Sequence, residues 1–235
     1  MKLIRLQKQI LVFIFLITTF FKAHSQLLPY QKPDYDAIKK DIQDSSSVYY
    51  YPKLLSRLVA YDTTLIEEDY RHLYFGYIYQ KEYLPYWRSD DEEELVKFYQ
   101  SEKIGENDYD RIIKLATHSI TQFPFDLRPM NFMAYIYYLK GDENMAKKIA
   151  YRFQGSFEAI LSSGDGKTCE TGYHVISISH EYVFLSMFQF SIVLQELTSD
   201  HCDYLTLKKD ERNIDGIYFN VQKLFEKNLE NLKKK

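Results

Sequence analysis

The stretch from Met130 to Ile160 constrains the fold most, because two amphipathic segments meet there across a Gly141-Asp142 turn. Small and large apolar residues recur in both segments at the three-to-four spacing of a helix face. The side chains predicted to face the seam between the two segments are Met133, Ala134, Tyr137, Ala146, Ile149, Ala150 and Phe153. The pattern therefore predicts two helices that fold back on each other as a helical hairpin.

The same spacing occurs about 34 residues earlier, where Ala116 stands in the place of Ala150. Residues 92–125 and 126–159 accordingly resemble two tetratricopeptide-like units, although the first lacks the glycine of the turn. Stacked helical hairpins leave a concave surface, here rich in tyrosine, that suits a peptide or a partner protein. We interpret residues 34–163 as a helical, repeat-like part of the chain.

The periodicity changes near residue 164 from that of helices to that of strands. Strands are predicted at 173–179, 203–209 and 214–221, and the last two, separated by a charged turn, predict a hairpin. Residues 188–197 are compatible with a strand or with the continuation of a helix, and the tail predicts a C-terminal helix. The expected fold class is α+β: helical hairpins in the N-terminal two-thirds, then a small antiparallel β-sheet and a C-terminal helix in residues 164–235, packed together as one unit.

The N-terminus has the form of a secretory signal peptide over residues 1–25. Basic residues precede an apolar run from Ile10 to Phe21, and small residues then favour cleavage between Ser25 and Gln26. The apolar run is shorter than the ~20 residues of a membrane-spanning helix, although an uncleaved signal anchor remains the alternative. We expect an exported protein, periplasmic or secreted, with a tether over residues 26–33 and no stable membrane anchor after cleavage.

Export would place the two cysteines, Cys169 and Cys202, in an oxidising compartment, where disulfides form. An even pair permits one disulfide, and we expect a bridge between them, since it would tie the turn after the helices to the predicted hairpin. Their spacing predicts no metal site.

The net charge and the amino-acid composition indicate which classes of binding partner to expect. The formal net charge of −3 gives no reason to expect nucleic acid. Aromatic residues make up 17% of the chain, with 22 tyrosines, and tyrosine suits half-buried helix faces as well as ligand-facing surfaces. No motif for a cofactor or a metal is present, so the expected partner is an envelope protein or a peptide.

Three polar residues are the candidates for chemistry: Asp165, His174 and Glu181. Asp165 lies in a glycine-flanked turn that could bind a phosphate or a cation, but the turn lacks the spacing of a phosphate loop and is equally typical of a helix end. His174 and Glu181 lie near the predicted junction of the helical and β-rich parts, where clefts are common. His180 next to Glu181 lacks the second histidine of a zinc-protease helix.

A second group of candidates is aromatic. Tyr83, Tyr86 and Trp87 lie within a few residues of one another around a proline and could bind a glycan, provided that their rings face solvent.

Five segments carry a resemblance to a known family: YRHLYFGYIYQ, ILSSGDGK, YHVISISHEY, CDYL and GIYFNV. In these segments, and over essentially the whole mature chain, the protein resembles the bacterial family called domain of unknown function 4919. The resemblance implies an exported bacterial protein and brings no activity, catalytic residue or ligand with it. We therefore expect a non-catalytic protein-interaction or scaffold module, with an enzyme of unknown class at the junction, or a glycan-binding protein, as the alternatives.

Overall fold

The computed structural model describes residues 30–233 of the chain. Its α-helices are α1 (Tyr35–Gln43), α2 (Tyr51–Val59), α3 (Glu67–Gly76), α4 (Glu92–Tyr99), α5 (Tyr109–Gln122), α6 (Leu127–Leu139), α7 (Glu143–Leu161), α8 (Ile178–Met187) and α9 (Gln222–Leu232). Its strands are β1 (Tyr173–His174), β2 (Ile192–Leu197), β3 (Cys202–Leu207) and β4 (Gly216–Asn220). The predicted signal peptide and its cleavage position between Ser25 and Gln26 lie outside the described residues.

The described residues divide into two compact units. One comprises residues 88–154 and the other residues 30–87 together with 155–233. The first three helices thus share a unit with the sheet, whereas the change in sequence periodicity suggested a division near residue 164. No helix among residues 30–233 is long and apolar enough to cross a membrane.

The unit of residues 88–154 contains most of the predicted helical hairpin. Helix α6 ends at a glycine with φ +80°, Gly141, and the N–H of Asp142 donates to the carbonyl of Tyr137 (3.0 Å). This is a Schellman ending, which requires the left-handed conformation that glycine adopts readily. Asp142 then caps α7, because its Oδ1 accepts from the N–H of Met145 (3.0 Å). Six of the seven predicted seam residues are buried, Tyr137 being partly exposed; the tetratricopeptide-like repeat remains a prediction.

The other unit has α3 at its centre. Helices α1 and α2 pack against α3, which is buried along most of its length. A glycine at position 155, near the end of α7, makes room for the ring of Tyr70 in α3, since a Cβ there would lie 2.3 Å from that ring. Any side chain at Gly155 would therefore displace Tyr70 from the core.

The sheet of this unit has the strand order β1-β4-β3-β2. The predicted hairpin is confirmed, as β3 and β4 pair antiparallel with Leu205 opposite Ile217. Residues 188–197 supply strand β2, which pairs antiparallel with β3. The α+β class is confirmed, but the sheet is mixed, because β1 pairs with β4 in parallel.

The strand predicted at 173–179 is much shorter in the structure and covers two residues. Long-range hydrogen bonds to Ile176 explain the difference: its N–H donates to Tyr74 Oη (3.3 Å) and its carbonyl accepts from Tyr83 Oη (2.9 Å). Ser177 then caps α8, which begins at Ile178. Two buried tyrosines thus take the places that a neighbouring strand would occupy.

Candidate functional site

Two polar side chains at the start of α8, His180 and Glu181, are fully buried. Ser177 starts this helix by accepting a hydrogen bond from the N–H of Ser179 (3.3 Å). Val183, Phe184 and Leu185 of α8 are buried as well, so the middle of the helix lies in the core. Buried polar groups are stable only with hydrogen-bonding partners, and these partners define the surroundings of the site.

His180 is bonded to a tyrosine of α3. Tyr74 Oη lies 2.5 Å from His180 Nδ1 and also accepts from the N–H of Ile176 (3.3 Å). Burial raises the pKa of Tyr74 well above its usual value, so the phenol stays neutral. The hydrogen bond between Tyr74 and His180 connects α8 to α3 inside the core.

Glu181 forms a buried carboxyl pair with Asp203 of β3. Gln195 of β2 bridges the pair, because its Nε2 donates to Glu181 Oε2 (3.3 Å) and to Asp203 Oδ2 (2.8 Å). Tyr182 closes the group by donating to Gln195 Oε1 (2.5 Å). Four side chains from α8, β2 and β3 thus form one hydrogen-bonded cluster, which we call the acid cluster: Glu181, Tyr182, Gln195 and Asp203.

The pKa values of both carboxyl groups in the acid cluster are raised. Burial raises the pKa of Glu181 well above its usual value, and the charge of Asp203 raises it further. Burial also raises the pKa of Asp203, while its hydrogen bonds to Gln195 and Glu181 act in the opposite direction. Both shifts favour the protonated form of a carboxyl group, and the larger shift is that of Glu181.

The geometry of the acid cluster limits its chemistry. Glu181 has no exposed surface, and its Oε1 has no hydrogen-bonding partner within residues 30–233. A general acid must reach its substrate directly or through a water molecule, which a fully buried carboxyl in this arrangement does not do. Among the described residues there is also no group of three His, Cys, Asp or Glu side chains arranged to hold a metal ion.

His174 lies in a different environment. Its Nδ1 is 3.3 Å from Tyr35 Oη, and its Nε2 is buried without a partner in the described part of the chain. Burial lowers the pKa of His174 to about 4, and the positive charges of Lys32, Arg71 and Lys223 lower it in the same direction. The ring is therefore neutral at physiological pH.

Asp165 has a structural environment within its turn. The N–H groups of Asp165 and Gly166 both donate to the carbonyl of Thr171 (2.8 and 3.0 Å). The Asp165 carboxylate accepts from the N–H of Lys167 (3.1 Å), and the side chain of Thr171 holds its pKa below the usual value. A phosphate loop needs free N–H groups, and here the turn uses them internally.

The three polar residues singled out from the sequence have separate partners. Asp165 bonds within its own turn, His174 bonds to Tyr35, and Glu181 bonds within the acid cluster. No hydrogen bond or ion pair joins any two of them in the described chain. A shared site for these residues stays a prediction that the contacts do not support.

The aromatic candidates are only partly exposed. Tyr83 is 2% exposed and donates its hydroxyl to the carbonyl of Ile176, so it does not meet the condition of facing solvent that glycan binding requires. It is buried because its hydroxyl has a backbone partner inside the core, which allows the whole ring to be enclosed. Tyr86 is 50% exposed and Trp87 is partly buried.

Cys169 and Cys202 form a disulfide, with their Cα atoms 5.6 Å apart. The bridge joins the loop before β1 to the first residue of β3, as expected from the sequence, and Cys202 is fully buried. It fixes the start of the strand that carries Asp203.

Sequence reasoning missed the outer edge of the sheet. Strand β2 lies at that edge, and four of its apolar side chains are between 38% and 66% exposed: Ile192, Val193, Leu194 and Leu197. The register of β2 against β3 shifts between Ile192 and Leu194, so a β-bulge lies in this strand. Alternation in the sequence alone could not have identified this edge, because the strand is apolar on both faces.

Comparison with known proteins gives one result. The family model described as Domain of unknown function (DUF4919) matches residues 36–230. Neither the curated proteins nor the solved structures contain a match to the chain. Because the matched region covers most of the sequence, the chain belongs to the DUF4919 family.

Proposed function

We propose that the protein is an exported, non-catalytic interaction module that binds an extended segment of another envelope protein along β2. The observation that carries the proposal is the exposed apolar edge of the sheet. β2 pairs on one side only within residues 30–233, and the opposite side presents its N–H and C=O groups to a further strand. Proteins use such an edge to bind peptides by strand addition.

The composition of β2 supports a binding role rather than a structural one. Edge strands are normally protected by lysine, proline or short length, whereas this strand carries four exposed apolar residues over six positions. The register places Gln195 and Leu197 on the side of Tyr182, which is itself partly exposed. An added strand with apolar residues at alternate positions would cover Leu197 and the ring of Tyr182.

The β-bulge of β2 favours a different protein over a second copy as the partner. In an antiparallel pair of two β2 strands, both bulges would disturb the same short ladder of hydrogen bonds. A regular strand from another protein would meet a single bulge. We therefore assign the edge to an extended partner segment.

Export rests on the predicted signal peptide and is supported by the disulfide between Cys169 and Cys202. Disulfides persist in oxidising compartments such as the periplasm and the extracellular space. The partner accordingly belongs to the same compartment and is an envelope or secreted protein.

The test is capture of a partner by the immobilised mature protein from an envelope extract of the native host. The variant combines Val193→Lys and Leu194→Lys, because lysine on an edge strand opposes pairing. The matched control combines Leu229→Lys and Leu232→Lys, which are similarly exposed on α9 (55% and 60%). We expect stoichiometric capture by the wild type and the control, and loss of capture by the β2 variant.

Hydrogen exchange of the captured complex shows where the partner binds. Binding by strand addition should slow exchange of the β2 amides, residues 192–197, with no comparable change in α9. Absence of capture by the wild type, or equal capture by the β2 variant, would refute the proposal. A dimer in sedimentation that the two β2 lysines abolish would instead assign the edge to a second copy and overturn the partner named here.

A further inference from the structure

Two tyrosine rings lie against each other on the outer face of the sheet. The register places Leu205, Ile217 and Phe219 on the buried face, so the residues between them, Tyr204 and Tyr218, lie on the opposite face. Both tyrosines are partly exposed, and their ring centroids are 4.5 Å apart with an angle of 36° between the planes. We call this pair of contacting, tilted rings the tyrosine platform.

A glycine makes room for the ring of Tyr204. A Cβ at Gly216 would lie 2.4 Å from Cζ and from Oη of Tyr204 and 2.6 Å from its Cε2. The ring therefore lies across the backbone of β4, in space that any side chain at this position would fill. Glycine weakens a strand interior, so its presence here marks a close approach, in this case by Tyr204.

The hydroxyl groups of the platform are free. Tyr51, Tyr79 and Tyr83 each donate a hydroxyl hydrogen bond to a backbone carbonyl. Neither Tyr204 nor Tyr218 makes a hydroxyl hydrogen bond to any residue that the structure describes. Both platform hydroxyls remain able to donate to and accept from a ligand.

Carboxylates border the platform. Glu196 of β2 lies directly opposite Tyr204 in the register, and it has no ion pair within the described chain. Burial raises the pKa of Tyr204, and the nearby Tyr218, Asp215 and Glu196 raise it further. Asp215 contacts Lys209 Nζ (3.4 Å), and both side chains are largely exposed.

We propose that the tyrosine platform binds a pyranose ring of a neutral saccharide. One face of a pyranose is rich in C–H groups and stacks on a flat tyrosine ring, while its hydroxyl groups donate to carboxylates at the edge. Tyr204 supplies the stacking surface, and Glu196 and Asp215 supply the acceptors. This site uses the face of the sheet and is independent of strand addition along β2.

The charges at the platform select against other flat ligands. A nucleotide also stacks on tyrosine, but its phosphate would be repelled by Glu196 and Asp215. The side chain of an apolar peptide could stack as well, yet it would bury both carboxylates without a hydrogen-bond donor. A saccharide can stack its C–H groups on the ring and at the same time donate hydrogen bonds from its hydroxyl groups to the carboxylates.

The experiment presents the mature protein to an array of neutral oligosaccharides made of hexoses and N-acetylhexosamines. The strongest binder is then titrated by calorimetry against the wild type and two variants. We expect Tyr204→Ala to weaken binding at least ~10-fold, the size of the loss when an aromatic stacking partner is removed. Tyr138→Ala, which removes a tyrosine that is 41% exposed on α6, is the matched control and should bind as the wild type does.

Two further variants distinguish stacking from hydrogen bonding. Tyr204→Phe should retain most of the affinity because it retains the ring, whereas Glu196→Gln should weaken binding by removing a charged acceptor. Circular dichroism establishes that each variant is folded. The proposal is overturned if no saccharide on the array binds the wild type, if Tyr204→Ala binds as tightly, or if single-stranded oligonucleotides bind more tightly than any saccharide.

Discussion

Removal of the disulfide between Cys169 and Cys202 should produce a large loss of stability. Cys169 and Cys202 are 33 residues apart, and the loop they close contains β1, α8 and β2. A cross-link lowers the entropy of the unfolded chain in proportion to the logarithm of the loop length, which for this loop gives ~4 kcal/mol. For a chain of this size that corresponds to a fall in Tm of about 8–16 °C.

The assay compares three samples by guanidinium and thermal unfolding: the oxidised mature protein, the same protein in reductant, and the double variant Cys169→Ala with Cys202→Ala. Cys202 is fully buried, so alanine leaves a small cavity that the reduced wild type does not have. The difference between the last two samples therefore measures packing, and the difference between the first two measures the cross-link. A loss below about 1 kcal/mol on reduction would refute the loop-entropy reasoning.

Three more changes test individual features of the fold. The pKa of His174 falls to about 4 on folding, so the unfolded chain binds a proton before the folded protein does as the pH is lowered. The free energy of unfolding should therefore drop by up to ~3 kcal/mol between pH 6.5 and 4. Urea titrations should find a shallower dependence of this free energy on pH in His174→Gln, and an unchanged dependence would contradict the prediction. Burial raises the pKa of Asp126 to about 6, so ionisation of this carboxyl destabilises the folded state as the pH rises through that value. After allowance for the partial exposure of the residue, Asp126→Asn should raise the free energy of unfolding by ~1–2 kcal/mol at pH 8 and leave it unchanged at pH 4. An equal gain at both pH values would count against titration of Asp126 as the cause. Gly141 has φ +80° and open space around it, so Gly141→Ala should cost ~1 kcal/mol through the backbone alone, and Gly141→Asn should cost less in the same thermal assay.

The helical part of the fold could be predicted because its signals are local. Gly141 and Asp142 mark the end of one helix and the start of the next, and both act through groups within five residues. The hairpin of β3 and β4 was predictable for the same reason, since its two alternating segments are neighbours in the sequence. The end of β1 was not, because it depends on Tyr74 and Tyr83, which lie about 100 residues from Ile176.

The candidate sites were harder to predict because they depend on pairings between distant segments. Glu181 could be singled out as a polar residue at a helix start, but its partner Asp203 looked like part of an ordinary alternating strand. The tyrosine platform depends on the register that brings Tyr204 over Gly216. Register follows from the whole sheet rather than from either strand, so no local pattern identifies such a contact.

Two features of neighbouring segments lower the stability of the folded protein, and both involve Gln195. Its side chain bridges a buried carboxyl pair in which Glu181 Oε1 has no partner among the described residues, and its backbone belongs to the exposed apolar strand β2. A buried acceptor without a partner costs stability, and an apolar edge invites unwanted pairing. Packing alone would favour an apolar residue at Glu181 and polar residues along β2. Features that folding does not favour are found most often where a protein binds, and here they meet at the same edge of the sheet.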